Sequence, residues 1–111
     1  MAEEIKRYNV NITATAKKDL REIISYISRN NPQNFLEILE RIEARIKTPD
    51  HFPNRGSYVP ELLIKNIKEY RQITESPWRI IYRVDKDIVT VLLIIDSRRN
   101  IQDILTQRLI K

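Results

Sequence analysis

Five arginines in the second half of the chain, Arg71, Arg79, Arg83, Arg98 and Arg99, are the side chains best able to bind a charged partner. Arginine stays charged at physiological pH, and its planar fork matches the oxygens of phosphate and carboxylate. Within Trp78–Val84, Arg79, Ile81 and Arg83 alternate with Ile80, Tyr82 and Val84. Successive strand residues point to opposite faces. Ile80, Tyr82 and Val84 mark the core face, so Arg79 and Arg83 project together from the other, where Arg71 on a neighbouring strand could join them. Arg98 and Arg99 directly follow the longest apolar strand, where a shallow site could form. One reading is a basic patch for phosphates or an acidic partner segment. The other is a solvated face paired with Glu69, Glu75 and Asp85, and a surface turn at Arg98–Arg99.

Composition narrows the chemistry. With no cysteine there is no disulfide framework, thiolate zinc site or cysteine nucleophile. His51, the only histidine, lies in a proline-rich stretch without a patterned partner and is given no role. No metal-ligand spacing, phosphate loop or nucleophile–base pair is visible, so neither metal nor cofactor is expected. The net charge of +5 favours an acidic partner, nucleic acid or protein. Met1–Tyr8 is charged and lacks the apolar stretch of a signal peptide. The run Val91–Ile95 is far short of the roughly 20 residues that span a bilayer. A soluble, cytoplasmic protein that leaves membranes alone is expected, with residues 1–111 forming one domain.

These side chains need a scaffold, and its pattern is readable. Tyr8, Val10 and Ile12 alternate as one face of a short strand. Thr13 or Thr15 can cap a helix whose apolar stripe is Ala16, Leu20, Ile23, Ile24 and Ile27. Asn31-Pro32 suits an N-cap and first helical residue, and Phe35, Leu39, Ile42 and Ile46 then mark a second helix, stopping before Pro49. The two helices form an antiparallel hairpin. Pro49–Lys68 reads as an irregular surface loop. Strands follow at about Tyr70–Glu75, Trp78–Val84 and Ile88–Asp96, the last two joined at Asp85-Lys86-Asp87. The third is apolar on both faces and is read as central and doubly covered. Ile101, Ile104, Leu105 and Leu109 suggest a terminal helix. The predicted class is α+β, order β-α-α-β-β-β-α, a helical hairpin on a small, mostly antiparallel sheet. Leu20, Ile24, Ile27, Leu39, Ile42, Tyr82, Val91 and Leu93 are its predicted core, and the sheet's other face keeps the arginines.

An ordered set of features across nearly the whole chain resembles the RelE/ParE superfamily of toxins from type II toxin–antitoxin modules. The set comprises Ala16…Asp19-Leu20…Ile23…Tyr26-Ile27, Asn31-Pro32, Val59-Pro60-Glu61-Leu62, Tyr70-Arg71, Arg79-Ile80-Ile81-Tyr82-Arg83-Val84, the apolar third strand, and Arg98-Arg99. The resemblance implies a toxin of the kind encoded by plasmid-stabilising modules, able to form an oligomer with its partner, and a cognate acidic antitoxin whose extended segment wraps it. RelE-like members cleave mRNA in the ribosome using basic and aromatic side chains of the sheet. ParE-like members poison DNA gyrase and cleave nothing.

By this resemblance Arg71 matches the arginine of the family's Tyr-Arg strand, and Arg79 and Arg83 those of its Tyr-Arg-Ile-Ile-Tyr-Arg-Val strand, with Trp78 in place of the first tyrosine. Asp96 stands where many members carry the histidine of a His-x-Arg-Arg pattern. RNA cleavage needs a 2′-hydroxyl activated and a leaving oxygen protonated, work that suits a histidine. Asp96 could serve as a base, but beside RNA phosphates it meets like-charge repulsion, although the arginines could still stabilise a transition state. The expectation is therefore a ParE-like gyrase inhibitor. The alternatives are a RelE-like ribonuclease using Arg71, Arg79, Arg83 and Asp96, and a degenerate member without toxicity.

Overall fold

The computed structural model describes residues 8–47, 56–99 and 101–108. His51, Pro49, Pro53 and Leu109 fall outside them. The order is β1 (Asn9–Ile12), α1 (Ala14–Asn30), a 3-10 turn (Pro32–Asn34), α2 (Phe35–Lys47), β2 (Ser57–Tyr58), α3 (Pro60–Leu63), β3 (Tyr70–Glu75), β4 (Trp78–Asp85), β5 (Ile88–Asp96) and α4 (Ile101–Arg108). The sheet runs β1-β5-β4-β3-β2, antiparallel except where β1 lies parallel to β5. The predicted α+β class holds; β4 is the middle strand, and β5, expected to be central, lies between β4 and the short β1.

Local chemistry sets the boundaries. Thr13 accepts a hydrogen bond from the Ala16 N–H at 3.1 Å and caps α1, which resolves the choice between Thr13 and Thr15. Asn31 closes α1 as well as opening the 3-10 turn, its N–H bonding the Ile27 carbonyl. The hairpin between β4 and β5 turns at Lys86, which takes a positive φ of 53°.

α1 lies over β5 and α2 over β3. Ala16 and Ile27 from α1, and Ile38, Ile42 and Ile46 from α2, meet Ile73, Ile80, Tyr82, Val89, Val91 and Ile94. Of the predicted core, Ile27, Ile42, Tyr82, Val91 and Leu93 are buried, whereas Leu20, Ile24 and Leu39 are only partly so. The reason is register. Ile38, Ile42 and Ile46 stand four apart on the inward stripe, and Leu39 falls on its flank.

The other face departs from expectation. Pro49–Lys68 is expected to be a surface loop, but part of it is built into the sheet and its cover. Ser57 and Tyr58 pair with β3, and Val59 and Leu62 are buried in a second core with Tyr70, Ile81, Leu93, Ile95, Ile101 and Leu105. α3 and α4 therefore close the face that was expected to stay open and basic. Among the described residues, no helix is long and apolar enough to cross a membrane.

Candidate functional site

The structure does not gather the six candidate residues into one site. Arg71 is the cross-strand partner of Tyr82 and Tyr58, so it lies on the helical-hairpin face, opposite Arg79 and Arg83. The register, not strand adjacency, decides this. Its guanidinium sits 4.5 Å above the Tyr58 ring, and Nη1 donates to the Gly56 carbonyl at 2.8 Å. The Gly56 N–H in turn donates to the Tyr82 hydroxyl at 3.1 Å. Burial pushes the Tyr82 phenol up, against smaller opposing effects of the Gly56 N–H and Arg71. A Cβ at Gly56 would stand 2.5 Å from the Tyr82 oxygen and 2.6 Å from the Gln72 carbonyl, so the close approach requires glycine.

Arg79 is 8% exposed and serves as a strut. Nη1 and Nη2 donate to the two Glu61 carboxylate oxygens at 2.9 and 2.8 Å, and Nε donates to the Gln72 amide oxygen at 2.8 Å. Nη2 also donates to that oxygen. The bond from Arg79 holds the Glu61 carboxyl below the usual range, with burial opposing it. A phosphate could use this fork only by displacing Glu61. Arg83 shares the face, but four residues along an extended strand put it roughly 13 Å away. It is exposed near the β4–β5 turn and forms no ion pair among the described residues.

Asp96 ends β5 and is clamped by the turn after it. The Arg98 backbone N–H and Nε each donate to Oδ1 at 2.9 Å, and Nη2 donates to Oδ2. The Arg99 N–H closes the turn on the Asp96 carbonyl at 3.1 Å, and the Ser97 N–H reaches the Pro77 carbonyl at 2.8 Å. Arg98 above all keeps the Asp96 carboxyl below the usual carboxylate range. A carboxylate so held is a weak proton acceptor at neutral pH.

Asp96, Arg98 and Arg99 open onto a cleft of about 320 Å³ between α1 and the end of β5, lined also by Asp19, Glu22, Ile23, Tyr26, Trp78 and Ile94. Asp19 and Arg108 escaped the sequence reading as a pair because 89 positions separate them. Arg108 Nη2 and Nη1 donate to the Asp19 carboxylate at 2.6 and 3.1 Å, and the Ile94 N–H donates to it at 3.2 Å. The available signal was an aspartate on the rim of an inward helical stripe, four residues before Ile23. With Asp19–Arg108 and Asp96–Arg98 paired, Glu22 and Arg99 are the charged lining residues that form no ion pair among the described residues. Among those residues, no group of three or more His, Asp or Glu could hold a metal ion.

A family model described as the ParE toxin of the type II toxin–antitoxin system parDE matches residues 10–101. The fold is similar to a chain of the chromosomal ParDE system from P. aeruginosa, with a TM-score of 0.66 and 20% identity over 82% of this chain and 97% of that one. It is also similar to a chain of the toxin–antitoxin complex RelBE2 from Mycobacterium tuberculosis, with a TM-score of 0.55 and 19% identity over 86% and 97%. No curated protein matches the chain.

Proposed function

The chain belongs to the ParE toxin family of type II toxin–antitoxin systems, and from that premise we propose that it inhibits DNA gyrase and is neutralised by a cognate acidic antitoxin. The observation that carries the choice of target is the clamped Asp96. At the position where a ribonuclease of the superfamily would hold a proton-transferring histidine, this chain holds a carboxylate tied to Arg98 at three donors. Arg79 is likewise committed to Glu61. Proton transfers are each typically worth about 10²–10⁴-fold in rate, and bound phosphates alone do not supply them. A protein target needs no such chemistry, only a surface. Arg83 at one end of the β4–β5 pair and the Arg98–Arg99 turn at the other are the candidate residues exposed to solvent.

Induction in cells without antitoxin is expected to block replication and raise a DNA-damage response while mRNA stays intact. Supercoiling by purified gyrase falls as toxin is added. Codon-phased mRNA cuts on translating ribosomes, lost in Arg83→Ala and with gyrase untouched, would move the assignment to the ribonuclease side. The antitoxin reading is tested by co-expression with the neighbouring reading frame. A stable complex is expected, and a toxin that ignores that neighbour at physiological salt overturns it.

A further inference from the structure

β1 stops at Ile12, opposite Val91, and among the described residues β5 runs on through Leu92–Asp96 without a strand on that side. A register shift falls here, with Ile81 opposite Leu93 but Tyr82 opposite Val91, so Leu92 is the extra residue of a bulge. Beyond it the Ile94 N–H points out of the sheet, where the Asp19 carboxylate takes it. By the same alternation the Ile94 carbonyl and the Asp96 N–H face the open edge. An acceptor and a donor two residues apart on an unladdered edge suit one residue of an added strand. Ile23 and Ile94 give the cleft beside this edge an apolar lining, with Trp78 and Tyr26 also lining it. Tyr26 is 56% exposed, and Tyr, Trp and Arg are the residues that anchor protein contacts.

We propose that this cleft takes a short extended loop of the toxin's protein target. The loop pairs with the Ile94 carbonyl and the Asp96 N–H, the Ile94 N–H and the Leu92 carbonyl being held by Asp19 and Arg108; it seats a bulky apolar side chain on Ile23 and Trp78, and turns an acidic side chain to Arg99. This rests on the reading that gyrase is the target. Charge supports a peptide over a nucleic acid: Asp19, Glu22 and Asp96 converge here, and among the described lining residues the internal pairs leave Arg99 to meet an anion. Size supports a folded partner over a wrapping one. A cleft of about 320 Å³ receives few residues, and a disordered segment needs a larger surface to offset its ordering, whereas a loop on a folded protein is already ordered.

The test uses full-length toxin with purified gyrase. Arg99→Glu and Tyr26→Ala change exposed side chains, and a far-ultraviolet spectrum and melting curve verify their fold. Each is expected to raise the concentration for half-inhibition of supercoiling about tenfold, the scale of a lost anchor, while still capturing the antitoxin. Ile64→Asp, at an exposed apolar residue outside the cleft, leaves inhibition unchanged. Cleft variants that inhibit like wild type overturn the proposal. So does loss of antitoxin capture with inhibition retained, which would make the cleft the antitoxin's. Wild-type toxin that leaves supercoiling intact removes the gyrase reading itself, a failure seen before any variant is made.

Discussion

The two faces of the sheet are closed by different means. Under the α1–α2 hairpin, side chains from two helices of 17 and 13 residues interlock with the sheet in an almost wholly apolar cluster. Under α3 and α4, helices of four and eight residues do the covering, and the apolar cluster there is bordered by the Arg79–Glu61–Gln72 network. A long amphipathic helix can be held by its stripe alone. A single helical turn offers one or two apolar anchors, here Val59 and Leu62, and directional bonds fix its orientation. The arginine that looked most like a ligand-binding fork is therefore the residue that ties α3 down.

The comparison breaks first where burial is deepest. Ile42→Ala on the hairpin face, at 1% exposure, is expected to cost about 4 kcal/mol, within the range for a large-to-small core change. Denaturant unfolding measures it, and a loss near zero would refute the register of α2. Arg79→Ala on the other face should cost about 3 kcal/mol, the low end for breaking a buried pair, because Glu61 keeps a quarter of its side chain in solvent. The joint change Arg79→Met with Glu61→Leu is expected to recover most of that loss. A double variant as weak as Arg79→Ala alone would show that the pair does more than fill and orient.

A smaller effect is visible only in acid. Glu61 titrates lower in the folded chain than in the unfolded one. Its pair with Arg79 therefore contributes fully above the ordinary glutamate value of about 4.3 and is lost as pH falls through the lower folded value. Unfolding measured from pH 6 down to about pH 3 should steepen below about 4.3 in the wild type and be flatter in Glu61→Gln. Equal slopes would remove Glu61 from the acid response.

The same contrast explains what could be read from the sequence. The hairpin, the three long strands and a threonine cap at Thr13 or Thr15 follow from local periodicity and turn chemistry, whose signals lie within a few residues. β2 and α3 were not legible, because two strand residues and one helical turn are too short to show a period. Arg71 could be placed on the wrong face because strand adjacency says nothing of register, and a one-residue shift exchanges the faces. Glu61 for Arg79, and Arg108 for Asp19, lie 18 and 89 positions away. Only the folded topology brings such partners together. The cleft depends on both kinds of hidden information, a strand that ends at Ile12 and a bulge at Leu92.

The smallest expected change in stability separates scaffold from site. Arg98 is exposed and its bonds to Asp96 span only two residues, so they order a turn and tie no distant elements together. Water screens such a pair, and measured surface pairs contribute little. Arg98→Ala should leave the melting temperature at neutral pH unmoved within error, where Arg79→Ala lowers it clearly. It should nonetheless release Asp96, whose carboxyl is held low chiefly by that side chain, and a carbon-detected titration should find the carboxyl moved up toward the ordinary aspartate range. If the turn is only scaffold, toxicity in cells follows the unchanged stability. If it forms part of the target surface, toxicity falls while the fold does not, and that divergence is what the exposed turn at the end of β5 predicts. A melting temperature that drops as far as in Arg79→Ala would instead make Asp96–Arg98 a second structural strut and leave Arg83 and Arg99 as the candidate arginines that form no ion pair among the described residues.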